Sequence, residues 1–479
     1  MSFPAFFLRF LIVPCLAVLA AAEVSSLSAA AATIASEPAE AGYDIHAELG
    51  KNPGRPVYVP AGDHAIAEEI VLTADHSGLY GPGRIVMSDA SRPIVVVRGA
   101  KGVTIKDVTL TRPEGRMDST QAGLLLENAT DTTVEGVGIV DNRSPAGAIR
   151  VYKCRHTRII NCSILNYMTR TVDDRTDSPA WGYAFNVVDG TGILVSESVG
   201  NLISGNSIIE KNFVPTKEVR DRYQLGKVVK RAPQRGSLLS EDAWNSDYRP
   251  NWTQGSGIAV TSPWITRFTR ITDNYIENPA QGIDIHTDHG IVTGNMIINP
   301  SAIGMKACHG SRNLVISGNQ ITRACIIGIA ISPAAASGPP MPATKNEKER
   351  PANTDGGHIL ANNIITDFGH GDAWWLWEGS TVLPVGPTPI SIGVGQLPDD
   401  PPLRDVVVTG NVVYDPGLDG ELRDGAIVYP KPRYNYAVFF QDKDVESQNG
   451  TLRAPVNVRF SGNMLQPGRQ GVSNVPLPQ

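Results

Sequence analysis

Cysteine is scarce in this chain of 479 residues: there are five, and Cys15 lies in an apolar N-terminal run. The other four, Cys154, Cys162, Cys308 and Cys325, follow no zinc-binding spacing and are too scattered for a disulfide scaffold, although a single Cys154–Cys162 bridge is compatible with the sequence. Excess positive charge is also lacking. A formal net charge of −6, with no basic helix face and no aromatic nucleic-acid module, argues against a nucleic-acid-binding protein. Beyond Ala22 no apolar stretch approaches the roughly 20 residues that a membrane-crossing helix needs, and no lipid-anchor motif is present. Histidine is rare as well, at nine residues, so a local concentration of it is informative.

What is present begins with Arg9 and the apolar run Phe10 to Ala22, followed by Ala-rich sequence. This layout predicts a secretory signal peptide over residues 1–22, a low-complexity segment over 23–42 and one exported domain over 43–479, secreted or periplasmic.

A short pattern then recurs: two apolar residues, a small one, Gly, Asn, any residue, and another apolar one. It appears as "NLISGNSI" from Asn201, "TRITDNYI" from Thr269, "GIVTGNMI" from Gly290, "NLVISGNQI" from Asn313, "HILANNII" from His358, "VVVTGNVV" from Val406 and "NVRFSGNML" from Asn457. Weaker copies start at Lys101, Thr132 and Thr157. Each copy predicts two strands joined at a corner where Gly or Asn accepts left-handed backbone. Asn274 and Asn295 are 21 residues apart and Asn295 and Asn319 are 24 apart, the length of one turn of a parallel β-solenoid. The predicted fold is all-β, a single-stranded coil with long lateral loops, and a sandwich with hairpin turns does not fit the period.

This repeat resembles the right-handed parallel β-helix of the pectate-lyase-like superfamily from about residue 55 to 470, and the segment from Arg55 looks like its N-terminal capping strands. The resemblance implies a fold rather than a reaction, because many chemistries share the coil. "CHGS" (Cys308 to Ser311) and "NTDG" (Asn353 to Gly356) look like polygalacturonase fragments. Their order is wrong and the paired Asp of that family is missing, so no residue roles carry over.

Four segments interrupt the period, at about 165–181, 209–256, 332–357 and 366–403, and should form loops on the faces of the coil. All seven tryptophans lie in or beside them. Aromatic faces stack on sugar rings, so Trp181, Trp264, Trp374, Trp375 and Trp377 are candidate substrate platforms; loop cores of their own would use the same residues. Lys217 to Arg235 holds seven basic against two acidic residues, suited to an anionic chain or simply to solvent.

Aligning the strand before each repeat by its Gly gives "GLLLE", "GILVS", "GIAVT", "GIDIH", "GMKAC" and "GIAIS". Positions two and four are apolar and point inward, so three and five point outward. One outward column reads Leu125, Leu194, Ala259, Asp284, Lys306, Ala330, and the other reads Glu127, Ser196, Thr261, His286, Cys308, Ser332. Neighbouring turns stand roughly 4.8 Å apart, which makes Asp284 and Lys306 adjacent. His289, Asp288 and His309 fall at the corners beyond, and Arg150 and Tyr152 share the outward face several turns away.

These residue types fit proton transfer at neutral pH. Lys306, His286, His309, Arg150 and Tyr152 are candidate bases or cations, Asp284 an orienting group, and His289 a substrate contact. β-Elimination of a uronate-containing polysaccharide requires that set, with Ca²⁺ held by Asp284 and Asp288 as an option. A glycoside hydrolase would pair Asp284 with Asp288, Glu127 or Asp189. A uronate epimerase, a non-catalytic glycan-binding surface protein, and an exposed Asp284–Lys306 ion pair worth ~0.5 kcal/mol are the competing readings.

Overall fold

The computed structural model describes residues 42–173, 182–232, 255–334, 336–343, 349–372, 387–415, 421–428, 432–447 and 450–479. The expected signal peptide and most of the low-complexity segment lie outside these residues. So do Trp181, Trp374, Trp375 and Trp377.

Three 12-stranded parallel sheets run the length of the chain, which visits them in rotation. The first sheet starts with Pro56–Tyr58, the second with Asp63–Ile66 and the third with Ile70–Leu72. The architecture is a right-handed parallel β-helix. Segments from Arg55 onward form the first rung itself, and the end is covered by a helix, Ile45–Lys51, whose Asp44 accepts the His46 and Ala47 amides. Among the described residues no helix is long and apolar enough to cross a membrane.

Inside the coil, columns of like residues stack. Ile258, Ile283, Met305, Ile329 and Ile390 are successive partners in the third sheet, all essentially without exposed surface. The Gly before the inward residue in the first four of these strands has a steric reason. A Cβ on Gly282 would stand 2.3 Å from the Gly304 carbonyl oxygen and 2.6 Å from Ile297.

The Gly–Asn corners depart from the sequence-based expectation in one respect. The left-handed position is taken as expected by Gly or Asn, as at Gly294 (φ 68°), Asn161 (φ 54°) and Asn362 (φ 55°), and also by Asp273 (φ 57°); what differs is the Asn that follows Gly294, Asn362 or Asp273, which does not share that torsion. Instead Asn206, Asn274, Asn295, Asn319, Asn363, Asn411 and Asn463 stack into a buried ladder. Each Oδ1 accepts the backbone amide and Nδ2–H of the previous rung, as Asn295 Oδ1 does from Asn274 at 3.1 and 2.9 Å.

Insertions leave the coil at two of its three corners. Between the second and third sheets, one insertion carries the strands Thr169–Asp173 and Gly182–Asp189, and the insertion one turn later carries the helix Lys217–Tyr223 and the strand Val228–Ala232; the three strands pair as one antiparallel sheet, and part of the basic segment is helical. The interruption expected at 366–403 contains a regular third-sheet strand, Thr388–Ile392, between two insertions. Cys154, Cys162, Cys308 and Cys325 are all free thiols.

One histidine sits among the apolar columns. His358 points inward from Gly356–Ala361, pairs in register with Val406 and is 1% exposed. Burial pushes its imidazole down from 6.5 to about 4. The unfolded chain therefore takes up a proton between these values that the folded chain refuses, and stability falls as pH drops through that window. His358→Leu should flatten this acid loss, seen as urea midpoints that differ less between neutral pH and pH near 4 than in the parent.

Candidate active site

The stretch "GIDIHTDHG" crosses from a third-sheet strand, Gln281–Ile285, to a first-sheet strand, Asp288–Thr293. The register is the one the repeat predicts: Ala259, Asp284, Lys306 and Ala330 are consecutive partners. Lys306 Nζ lies 3.0 Å from Asp284 Oδ2, and His286 Nε2 lies 2.7 Å from Oδ1. One carboxylate is thus held between a lysine and a histidine.

The pair is not the exposed one considered from sequence. Asp284 is 4% and His286 8% exposed, because the corner residues beyond the strands close over them. Burial by itself raises the Asp284 carboxyl, but His286 and Lys306 outweigh burial and hold it well below the usual carboxylate range. His286 Nε2 also meets Cys308 Sγ at 3.4 Å, and its ring packs edge-on against His309 with centroids 4.4 Å apart. Burial pushes the Cys308 thiol well above its ordinary range.

The corner that carries Cys308 and His309 is tied down from the next rung. Asp355 accepts the Gly310 and Ser311 amides at 2.9 and 3.0 Å and the Ser337 hydroxyl at 2.5 Å. Asn353 donates through Nδ2 to the His309 carbonyl at 2.7 Å, and the Ala336 amide donates to His309 Nδ1 at 3.1 Å. Burial pushes the Asp355 carboxyl up to about 7 despite these donors. The two fragments "CHGS" and "NTDG", in separate parts of the sequence, are therefore one structural unit. Asp355, Asn353 and Cys308 are the residues sequence reasoning did not assign to the site. The register of Arg312 with Gly356 is the signal that brings them there.

The structure brings together Asp284, Lys306, His286 and His309 and leaves the other candidates apart. Arg150 pairs with Leu125 and Leu194, three strands before Asp284, or about 14 Å at the spacing of parallel strands. Its guanidinium lies 5.8 Å from the Tyr152 ring centroid. His289 is exposed, 2.8 Å from Asp288, and its ring meets Phe268. Asp288 faces Arg312 at 3.1 Å and Asn313 at 2.9 Å on the first sheet. Trp264 is half-buried at the same corner of the preceding rung, with the Arg350 guanidinium 5.6 Å over its ring.

A calcium ion does not fit Asp284 and Asp288. Each carboxylate already faces cationic side chains, and the two lie on different sheets, whereas Ca²⁺ takes six to eight converging oxygens.

No protein-family model and no curated protein matches this chain. Solved structures do match in fold. The catalytic domain of a GH87 alpha-1,3-glucanase in complex with tetrasaccharides aligns with a TM-score of 0.52 at 10% identity, over 92% of this chain and 69% of that one. The same type of domain in complex with nigerose aligns at 0.48 and 10% identity over 88% of this chain, which spans 64% of its length. The A-module of the Azotobacter vinelandii mannuronan C-5 epimerase AlgE6 aligns at 0.46 and 12% identity, over 90% and 93% of the two chains. The chain thus shares the parallel β-helix fold of the glucanase domain.

Proposed function

We propose that this protein is an exported glycan-processing enzyme that removes a proton from a uronate-containing polysaccharide and cleaves it by β-elimination. The observation that carries this reading is the single ionised carboxylate clamped between Lys306 and His286. With Nε2 turned to Asp284, His286 Nδ1 accepts the proton from the carbon beside the sugar carboxylate, and Asp284 stabilises the imidazolium that forms. Lys306 places positive charge toward the substrate carboxylate as negative charge builds on it. The bond to the leaving sugar oxygen then breaks, its electron pair goes to that oxygen, and His309 or water returns a proton. A fold neighbour captured with tetrasaccharides supports a glycan as ligand, and Trp264 and the tryptophans outside the described residues are its proposed platforms.

Hydrolysis is less well supplied. It needs a second carboxyl beside the first, one of them protonated. Asp288 pairs with Arg312, Glu127 with Arg98 at 2.9 Å, and Asp189 accepts the Gly190 and Gly255 amides at the opposite corner; Asp355, whose carboxyl is pushed up, is buried and engaged by the Gly310 and Ser311 amides and the Ser337 hydroxyl. Incubation with a panel of acidic and neutral polysaccharides separates the readings. The ultraviolet band of an unsaturated uronate is the expected result; reducing ends without that band would mean hydrolysis and would reject the elimination mechanism.

A further inference from the structure

We propose that His286, Cys308 and His309 bind a borderline-soft divalent cation of the zinc type at the corner between the third and first sheets. One ligand atom from each residue lies within 4.8 Å of the others. His286 Nε2 and Cys308 Sγ are 3.4 Å apart. On a tetrahedral zinc with bonds of about 2.0 Å to nitrogen and 2.3 Å to sulfur, two such ligands stand roughly 3.5 Å apart, so this pair is already spaced for one ion. Thiolate with imidazole selects zinc-like ions over calcium, in keeping with the misfit of calcium to the nearby carboxylates.

The surroundings favour a held geometry. Asp355 and Asn353 fix the backbone from His309 to Ser311, so the two residues from this corner are positioned before any ion arrives. Asp284 Oδ1 is buried without an aligned hydrogen bond and lies 2.7 Å from His286 Nε2. It borders the cluster beside His286, as an acceptor for a metal-bound water. One ring nitrogen, moreover, has two neighbours here, Asp284 and Cys308, and a single N–H serves only one of them. On binding, Cys308 gives its Sγ proton to solvent and forms the sulfur–metal bond, and His286 shifts its ring proton from Nε2 to Nδ1 and supplies the Nε2 lone pair. His309 supplies one ring nitrogen to the ion.

The ion-bound form is not the form that runs the reaction proposed above, because it occupies His286 and His309; the readout is therefore the metal and not turnover. The full-length exported chain is stripped with a chelator and titrated with Co²⁺. Binding of a single equivalent, with a near-ultraviolet thiolate-to-cobalt band that Zn²⁺ removes and Ca²⁺ does not, is the expected result. Cys308→Ser should lose the band, and His309→Ala should weaken binding at least about tenfold, with circular dichroism confirming that both variants keep the strand signal. If Cys308→Ser does not fold, His309→Ala decides, since its ring is only half-buried. Failure to bind a stoichiometric ion, a band that survives in Cys308→Ser, unchanged affinity in His309→Ala, or displacement by Ca²⁺ would each overturn the site.

Discussion

Lys306→Ala should lower turnover by about 10³-fold and, in the same protein, lower stability by roughly 3 kcal/mol. The catalytic loss comes from removing the lysine that touches Asp284; the stability loss comes from the carboxylate left behind. An exposed pair would cost little, but the Asp284 side chain is 5% exposed and Lys306 is 18% exposed. A buried charge stripped of one partner keeps its desolvation penalty and loses its compensation. The double variant Asp284→Ala/Lys306→Ala removes the penalty with the charge, so it should be more stable than Lys306→Ala alone while remaining inactive. Urea denaturation of the four proteins gives the coupling, and the elimination assay gives activity. A double variant no more stable than the single one would show that Asp284 is solvated after all.

Asn295→Ala is the second large effect, about 2–4 kcal/mol, with no bearing on chemistry. The side chain donates to Asn319 Oδ1 at 2.9 Å and to the Ile271 carbonyl at 3.0 Å, and accepts twice from Asn274. Truncation leaves donors and an acceptor without partners in a place water does not reach. The same change at Asn463, half-buried at the last rung, should cost markedly less. Equal costs at the two positions, measured by chemical denaturation, would show that the amides act singly and not as a stacked column.

The repeat made the coil and the Asp284–Lys306 register legible, because residues at a fixed offset from a strand-opening Gly must align when rungs stack. Burial was not legible. Outward positions on a strand look solvated until the lateral corners are known, and those corners depend on insertions that break the period. Asp355 illustrates the limit: it lies 47 residues after Cys308 in sequence, on the far side of an insertion, yet one rung away in space. Likewise the left-handed corner held by Gly or Asn was legible, but the amide column formed by the Asn that follows it was not. Arg150 was correctly placed outward and still falls short of the cluster, since several rungs with Leu and Ala intervene.

The seven stacked amides also have a direction. In the first six, Nδ2–H points to the Oδ1 of the following rung, so the group dipoles add head to tail along the coil axis, positive end toward the C-terminus. Each bond in such a file polarises the next, so the interior members bind more strongly than an isolated amide pair does. The protein thus carries, down one buried edge, an electrical polarity that a β-sheet alone does not have.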